Sequence, residues 1–158
     1  MPELRALLTS AGFDDVRTYL QSGNVVLTSN ASPEEVAREC ERQIVGRFEL
    51  DIAVVVRTRG ELAEVVGRNP LADVAVNPKR YQVSFLAATP DPEAVRKLAA
   101  VADAPEQFVV IDREIYAWHP DGIGRSRLWA LLAGRGLGVT ATARNWSTVT
   151  NLLALADE

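Results

Sequence analysis

The sequence predicts an α+β fold built from two copies of one supersecondary unit. Three observations carry that expectation. Leu50-Asp51-Ile52-Ala53-Val54-Val55-Val56-Arg57 is echoed by Leu137-Gly138-Val139-Thr140-Ala141-Thr142-Ala143-Arg144, each residue 87 positions on. The echo continues into a helical pattern, with Leu62, Val65 and Val66 matching Val149, Leu152 and Leu153; self-similarity at a fixed offset is the mark of a repeated architecture. The order of elements in residues 79–158 is β-α-β-β-α-β followed by a helix, the ferredoxin-like arrangement.

The elements follow in chain order. Leu4, Leu7, Leu8 and Ala11 keep helical spacing, and Gly12 supplies the stop. Val16–Leu20 and Asn24–Thr28 are expected as strands around Gln21-Ser22-Gly23-Asn24, forming a hairpin or one long bulged strand. Ser32-Pro33-Glu34-Glu35 opens a helix with Ser as N-cap and Pro at its first position. That helix carries Val36, Cys40, Ile44 and Phe48 as an apolar stripe. Asp51–Arg57 is expected as a strand, and Thr58-Arg59-Gly60-Glu61 as the capped start of another helix. The turns at Arg68-Asn69-Pro70 and Asn77-Pro78 divide the chain into halves 1–78 and 79–158.

In the second half, Tyr81–Ala88 is expected as a strand and Asp91-Pro92-Glu93 as a helix start. Phe108–Asp112 and Glu114–His119 flank a tight turn. Asp121-Gly122-Ile123-Gly124 leads to a helix around Leu128, Leu131 and Leu132, closed by Gly134-Arg135-Gly136. A strand at Val139–Arg144 and a helix from about Ser147 complete the series. The first half shows the same order without its opening strand. Either the chain starts late, or its first sheet is built with one strand fewer.

Bulk properties bound the function classes. The 158 residues have 47% hydrophobic and 24% charged side chains, those of an ordinary soluble globular protein. The single Cys40 forms no internal disulfide and no Cys-based zinc site. The opening Met1-Pro2-Glu3-Leu4-Arg5 lacks the basic-then-apolar order of a secretory signal. No apolar run reaches the ~18 residues of a membrane span, so a cytoplasmic location is expected. The net charge of −4 argues against a general polyanion binder. Charge is uneven, however: Gly122 to Ala156 contains Arg125, Arg127, Arg135 and Arg144 and no acid. Such a stretch attracts an anion locally, although its plainer reading is a solvated surface.

Three motifs resemble a bacterial family known as domain of unknown function 1697. They are Tyr19-Leu20-Gln21-Ser22-Gly23-Asn24-Val25-Val26, Pro120-Asp121-Gly122-Ile123-Gly124-Arg125-Ser126 and Thr142-Ala143-Arg144-Asn145-Trp146-Ser147-Thr148-Val149. The resemblance spans essentially the whole chain. It implies an α+β fold with ferredoxin-like halves in a bacterial cytosolic protein, and brings no established activity or catalytic residues. Family members open with a strand and a segment of the type R-G-I-N-V-G-G, which has no match here.

The chemistry-bearing candidates cluster late in the chain. Gly122, Gly124, Arg125, Ser126 and Arg127 precede a helix, where backbone N–H groups and two guanidinium forks suit a phosphate or carboxylate. The plainer reading makes Ser126 an N-cap. Arg144, Asn145 and Trp146 follow a strand, with Asn145 standing where Thr58 stands in the first half. Asn145 is thus a candidate cap, and Trp146 a candidate stacking or packing ring. Tyr116 and Trp118, like Tyr81, Val83 and Phe85, alternate along strands and could stack single-stranded RNA. The chain has no K/R-G-F/Y series, and burial of these rings against the other half or a second subunit weighs more. His119 ends a strand, and neither Ser84 nor Ser126 sits in a nucleophile elbow. Cys40 and the Glu34-Glu35 pair fit packing and helix-start charge.

The leading expectation is a binding protein for a small anionic or phosphorylated ligand, centred on Arg125, Arg127 and Arg144, with no cofactor or metal implied. A rival is an interaction module that forms homodimers through open sheet faces. A weaker rival is an enzyme whose site needs an N-terminal loop. Nucleic acid is disfavoured as a partner.

Overall fold

Local chemistry sets the helix starts. The computed structural model describes residues 2–19, 23–102, 105–133 and 137–157. Its elements are α1 (Pro2–Ser10), β1 (Asp14–Tyr19), β2 (Asn24–Thr28), α2 (Pro33–Phe48), α3 (Arg59–Arg68), β3 (Tyr81–Leu86), α4 (Pro92–Val101), β4 (Gln107–Ile111), β5 (Glu114–Trp118), α5 (Arg127–Ala133), β6 (Ala141–Asn145) and α6 (Trp146–Ala156). Ser32 Oγ accepts from the Glu35 N–H and Asp91 Oδ1 from the Glu93 N–H, each ahead of a Pro at the first helical turn. Helices α3 and α6 start 87 residues apart, at the repeat offset. Thr58 and Asn145 cap them alike, accepting from the N–H groups of Glu61 and Thr148. The expected closure of α5 at Gly134-Arg135-Gly136 lies outside the described residues, as does the Leu20–Ser22 part of the hairpin turn.

The chain forms two compact units, Leu62–Thr150 and Met1–Glu61 with Asn151–Glu158. The division does not fall at Pro78, where the turns in the sequence suggested it. Helix α3 begins in one unit and ends in the other, and α6 does the reverse.

The Leu62–Thr150 unit holds an antiparallel sheet in the order β4-β5-β3-β6. Side chains alternate between the two faces of a strand, yet all six residues of β3 are buried. One face, with Leu86, Ile115 and Ala117, packs with Leu98 of α4, Leu128 and Leu132 of α5, and Leu137. The other carries Tyr81, Val83, Phe85, Tyr116 and Trp118. Its cover is the second half of α3 and the turn after it. The buried Tyr116 hydroxyl donates to the Val65 carbonyl at 2.8 Å, and the Tyr81 hydroxyl to Asn69 Oδ1 at 2.9 Å. Arg68 pairs with the buried Glu114 carboxylate at 3.3 Å. The aromatic face is therefore covered within its own unit.

The other unit has a two-stranded antiparallel sheet, β1-β2, with an irregularity between Asp14 and Arg17 where Asp15 takes a φ of 49°. Leu8, Phe13, Val16, Val36 and Cys40 form its core, joined by Val25, Leu27, Val54 and Val56. Asn151 donates to the Tyr19 hydroxyl at 2.8 Å, and Arg59 pairs with Asp157 at 2.5 Å.

One expected strand is absent. Asp51–Arg57 is extended in sequence pattern but belongs to no sheet. A strand exists only where a neighbour takes its hydrogen bonds. The matching segment of the other unit ends in β6, which pairs with β3. Here no described strand occupies that position, and the Val54 N–H donates instead to the Glu41 carboxylate at 3.0 Å.

Leu98 is fully buried between α4 and the sheet. Leu98→Ala is expected to cost about 2–5 kcal/mol in a urea melt, whereas Val76→Ala, at 82% exposure, is expected to stay within ~0.5 kcal/mol.

Candidate functional site

The starting end of β3 gathers most of the chemistry. The backbone N–H of His119 donates to the Arg80 carbonyl at 3.0 Å, extending the β3-β5 ladder by one rung. The Trp146 N–H donates to the Pro78 carbonyl at 3.1 Å beside the same end. His119 and Trp146 thus flank β3 on opposite sides, about two strand spacings (roughly 10 Å) apart.

His119 opens a turn that its carbonyl closes by accepting from the Gly122 N–H at 2.9 Å. Gly122 has a φ of +83°, a conformation that favours glycine. The Arg80 guanidinium donates to the Pro120 carbonyl and fastens the turn to the strand. The imidazole of His119 is wholly buried. Its Nδ1 lies 2.8 Å from Glu106 Oε2, and Ser126 Oγ donates to that same oxygen at 2.5 Å. Ser126 Oγ also accepts from the Trp129 N–H at 3.0 Å, so it is the N-cap of α5. The Trp129 ring meets the imidazole edge-on, 5.9 Å between centroids.

This wiring decides the protonation pattern. A carboxylate only accepts, so Nδ1 carries a proton and a neutral His119 has its lone pair on Nε2. That nitrogen is buried without a hydrogen-bond partner. Ser126, 3.3 Å from the protonated Nδ1, is not positioned for activation as a nucleophile by His119. Ser84 is buried on β3 four residues from the Arg80 rung, about 13 Å along the strand. Glu106 was not singled out in the sequence. It lies 13 residues from His119 and 20 from Ser126, and only the fold joins them.

The sequence candidates separate into two places. Gly122, Gly124, Arg125, Ser126 and Arg127 form the turn over Glu106 and His119, with Arg125 and Arg127 exposed. Arg144, Asn145 and Trp146 lie across β3 from it. Arg144 stands opposite Val83, half-buried, and donates to Thr142 Oγ1 at 2.6 Å and the Ala143 carbonyl at 2.8 Å. Burial lowers its pKa. Asn145 caps α6. Trp146 stacks on Tyr81 with centroids 4.9 Å apart, which makes it a packing ring. Among the described residues no group of three His, Cys, Asp or Glu side chains could hold a metal ion. No helix among them is long and apolar enough to cross a membrane.

Comparison with known proteins fits this architecture. The model of the family described as "Protein of unknown function (DUF1697)" matches residues 1–116. The chain belongs to this family. Among solved structures, this member is similar to the conserved bacterial protein SP0830 from Streptococcus pneumoniae, with a TM-score of 0.78 and 19% identity. That match covers 99% of this chain and 88% of the other, and it is a likeness of fold. No curated protein matches the chain.

Burial pushes both Tyr81 and Tyr116 up to about 12 from an ordinary value of 10.0. Raised folded-state values keep the neutral phenols in the folded protein while the unfolded chain ionises first. Stability is therefore complete below pH 10 and falls as the pH rises towards 12. A tyrosinate absorbance titration is expected to show these two rings holding their protons until about 12, together with loss of the fold in that window.

Proposed function

We propose that this protein binds a small anionic ligand, phosphorylated or carboxylate-bearing, at the turn Pro120–Arg127. The reading rests on one observation: the buried His119 Nε2 without a partner. Ser126, between the two exposed arginines, shares the Glu106 carboxylate with that imidazole. Arg125 and Arg127 supply charge and bidentate donors for the anion. With Nδ1 held by Glu106, the buried Nε2 of a neutral His119 is left as an acceptor for a hydroxyl or N–H of the ligand. A hydroxyl-bearing anion such as a sugar phosphate suits both. Helix α5 adds little, because it is only seven residues long and Ser126 already caps it.

The same reading extends to architecture. The strand order β4-β5-β3-β6 is that of a ferredoxin-like unit. The first unit is read as a related copy of it, in a bacterial cytosolic protein.

A thermal-shift screen with inorganic phosphate, hexose phosphates and nucleoside phosphates tests the proposal. At 100 times its dissociation constant a ligand stabilises by about 2.7 kcal/mol, a rise of several degrees for a chain of this size. The rise is expected to vanish in Arg125→Ala/Arg127→Ala and to persist in Arg144→Ala. Absence of a rise with every probe overturns the proposal, and a rise unchanged in the double variant moves the site elsewhere.

A further inference from the structure

The unit containing α1, β1, β2 and α2 holds a cavity of about 450 Å³. Small-molecule sites span roughly 300–1,000 Å³. Its walls are the turn between α1 and β1, the turn between β2 and α2, and one side of α2. No residue of Asn24–Thr28 or Asp51–Arg57 lines it. The cavity thus lies off the β2 edge, where the repeat would place a further strand.

The order α1-β1-β2-α2 matches α4-β4-β5-α5 of the other unit, and there the same corner is closed by side chains. Glu106, just ahead of β4, meets both His119, just after β5, and Ser126, the cap of α5. The corresponding residues here are Phe13, Ser29 and Ser32. A phenyl ring offers no carboxylate to draw the others in. Both serine hydroxyls are engaged locally, accepting from the N–H groups of Ala31 and Glu35. Phe13 and Val36, both buried, form the apolar side of the cavity.

The remaining side is charged and balanced, with Glu35, Arg38, Glu39 and Arg42. Glu39 pairs with Arg42 and accepts from Gln43 at 2.8 Å. Glu35 and Arg38 are exposed and three residues apart on α2, which sets their Cβ atoms roughly 5–6 Å apart. One carboxylate and one guanidinium at that spacing suit a ligand with an ammonium at one end and a carboxylate at the other. A single extended residue spans at most roughly 3.5 Å, and two span about 7 Å. We propose that this cavity binds a dipeptide of large apolar residues. Its ammonium meets Glu35, its carboxylate meets Arg38, and its side chains lie against Phe13 and Val36. The site is independent of the anion site at Pro120–Arg127.

Calorimetric titration of the full chain with leucyl-leucine tests the proposal. Leucyl-leucine is expected to bind, and its N-acetylated form, its C-terminal amide and free leucine to bind more weakly by about tenfold or more, each lacking a charge or the spacing. Ala31→Trp sets an indole on the cavity wall and is expected to abolish binding without altering thermal unfolding. The capped peptides test the charges without any substitution in the protein. Absence of binding by leucyl-leucine, or equal binding of either capped form, overturns the proposal. Equal binding of free leucine overturns the dipeptide as occupant. Binding that survives Ala31→Trp in a folded chain, or that is lost in Arg125→Ala/Arg127→Ala, overturns the cavity as its place.

Discussion

Everything in the Leu62–Thr150 unit depends on β3, a strand with all six residues buried. A strand buried on both faces needs a cover on each. Helices α4 and α5 supply the first, through Leu98, Leu128 and Leu132. The second is α3, anchored by the Tyr116 hydroxyl on the Val65 carbonyl and by Arg68 on Glu114. An uncovered face would expose two tyrosines, a tryptophan and a phenylalanine together, more apolar surface than a monomer ordinarily leaves to water. The position of α3 is thus a requirement of the sheet.

The His119 turn depends on the same strand. Arg80, immediately before β3, accepts from the His119 backbone and holds the Pro120 carbonyl. A rigid ladder therefore places the imidazole, Glu106 fixes its tautomer, and Ser126 ties both to the start of α5. Arg125 and Arg127 are exposed residues of this turn.

Much of the fold was legible in the sequence because it rests on local chemistry. Ser32 and Asp91 mark helix starts through their own hydroxyl and carboxylate. The repeat offset found Thr58 and Asn145 as equivalent caps. What escaped was non-local. Ile52, Val54 and Val56 alternate as a strand should, but alternation says nothing about whether a partner is present. Val65 and Leu62 have ordinary helical spacing, which does not disclose which sheet they cover. Glu106 sits in an unremarkable stretch, and its meaning appears only when β5 brings His119 beside it.

The central claim is that α3 completes the second sheet, although the turn at Pro78 separates them in sequence. Comparing two fragments, Leu62–Thr150 and Lys79–Thr150, tests it most directly by urea unfolding followed through tyrosine and tryptophan signals. The longer fragment is expected to unfold cooperatively, and the shorter to lack a cooperative transition and to bind apolar dyes. Equal, cooperative unfolding of both would contradict the claim and return the boundary to Pro78.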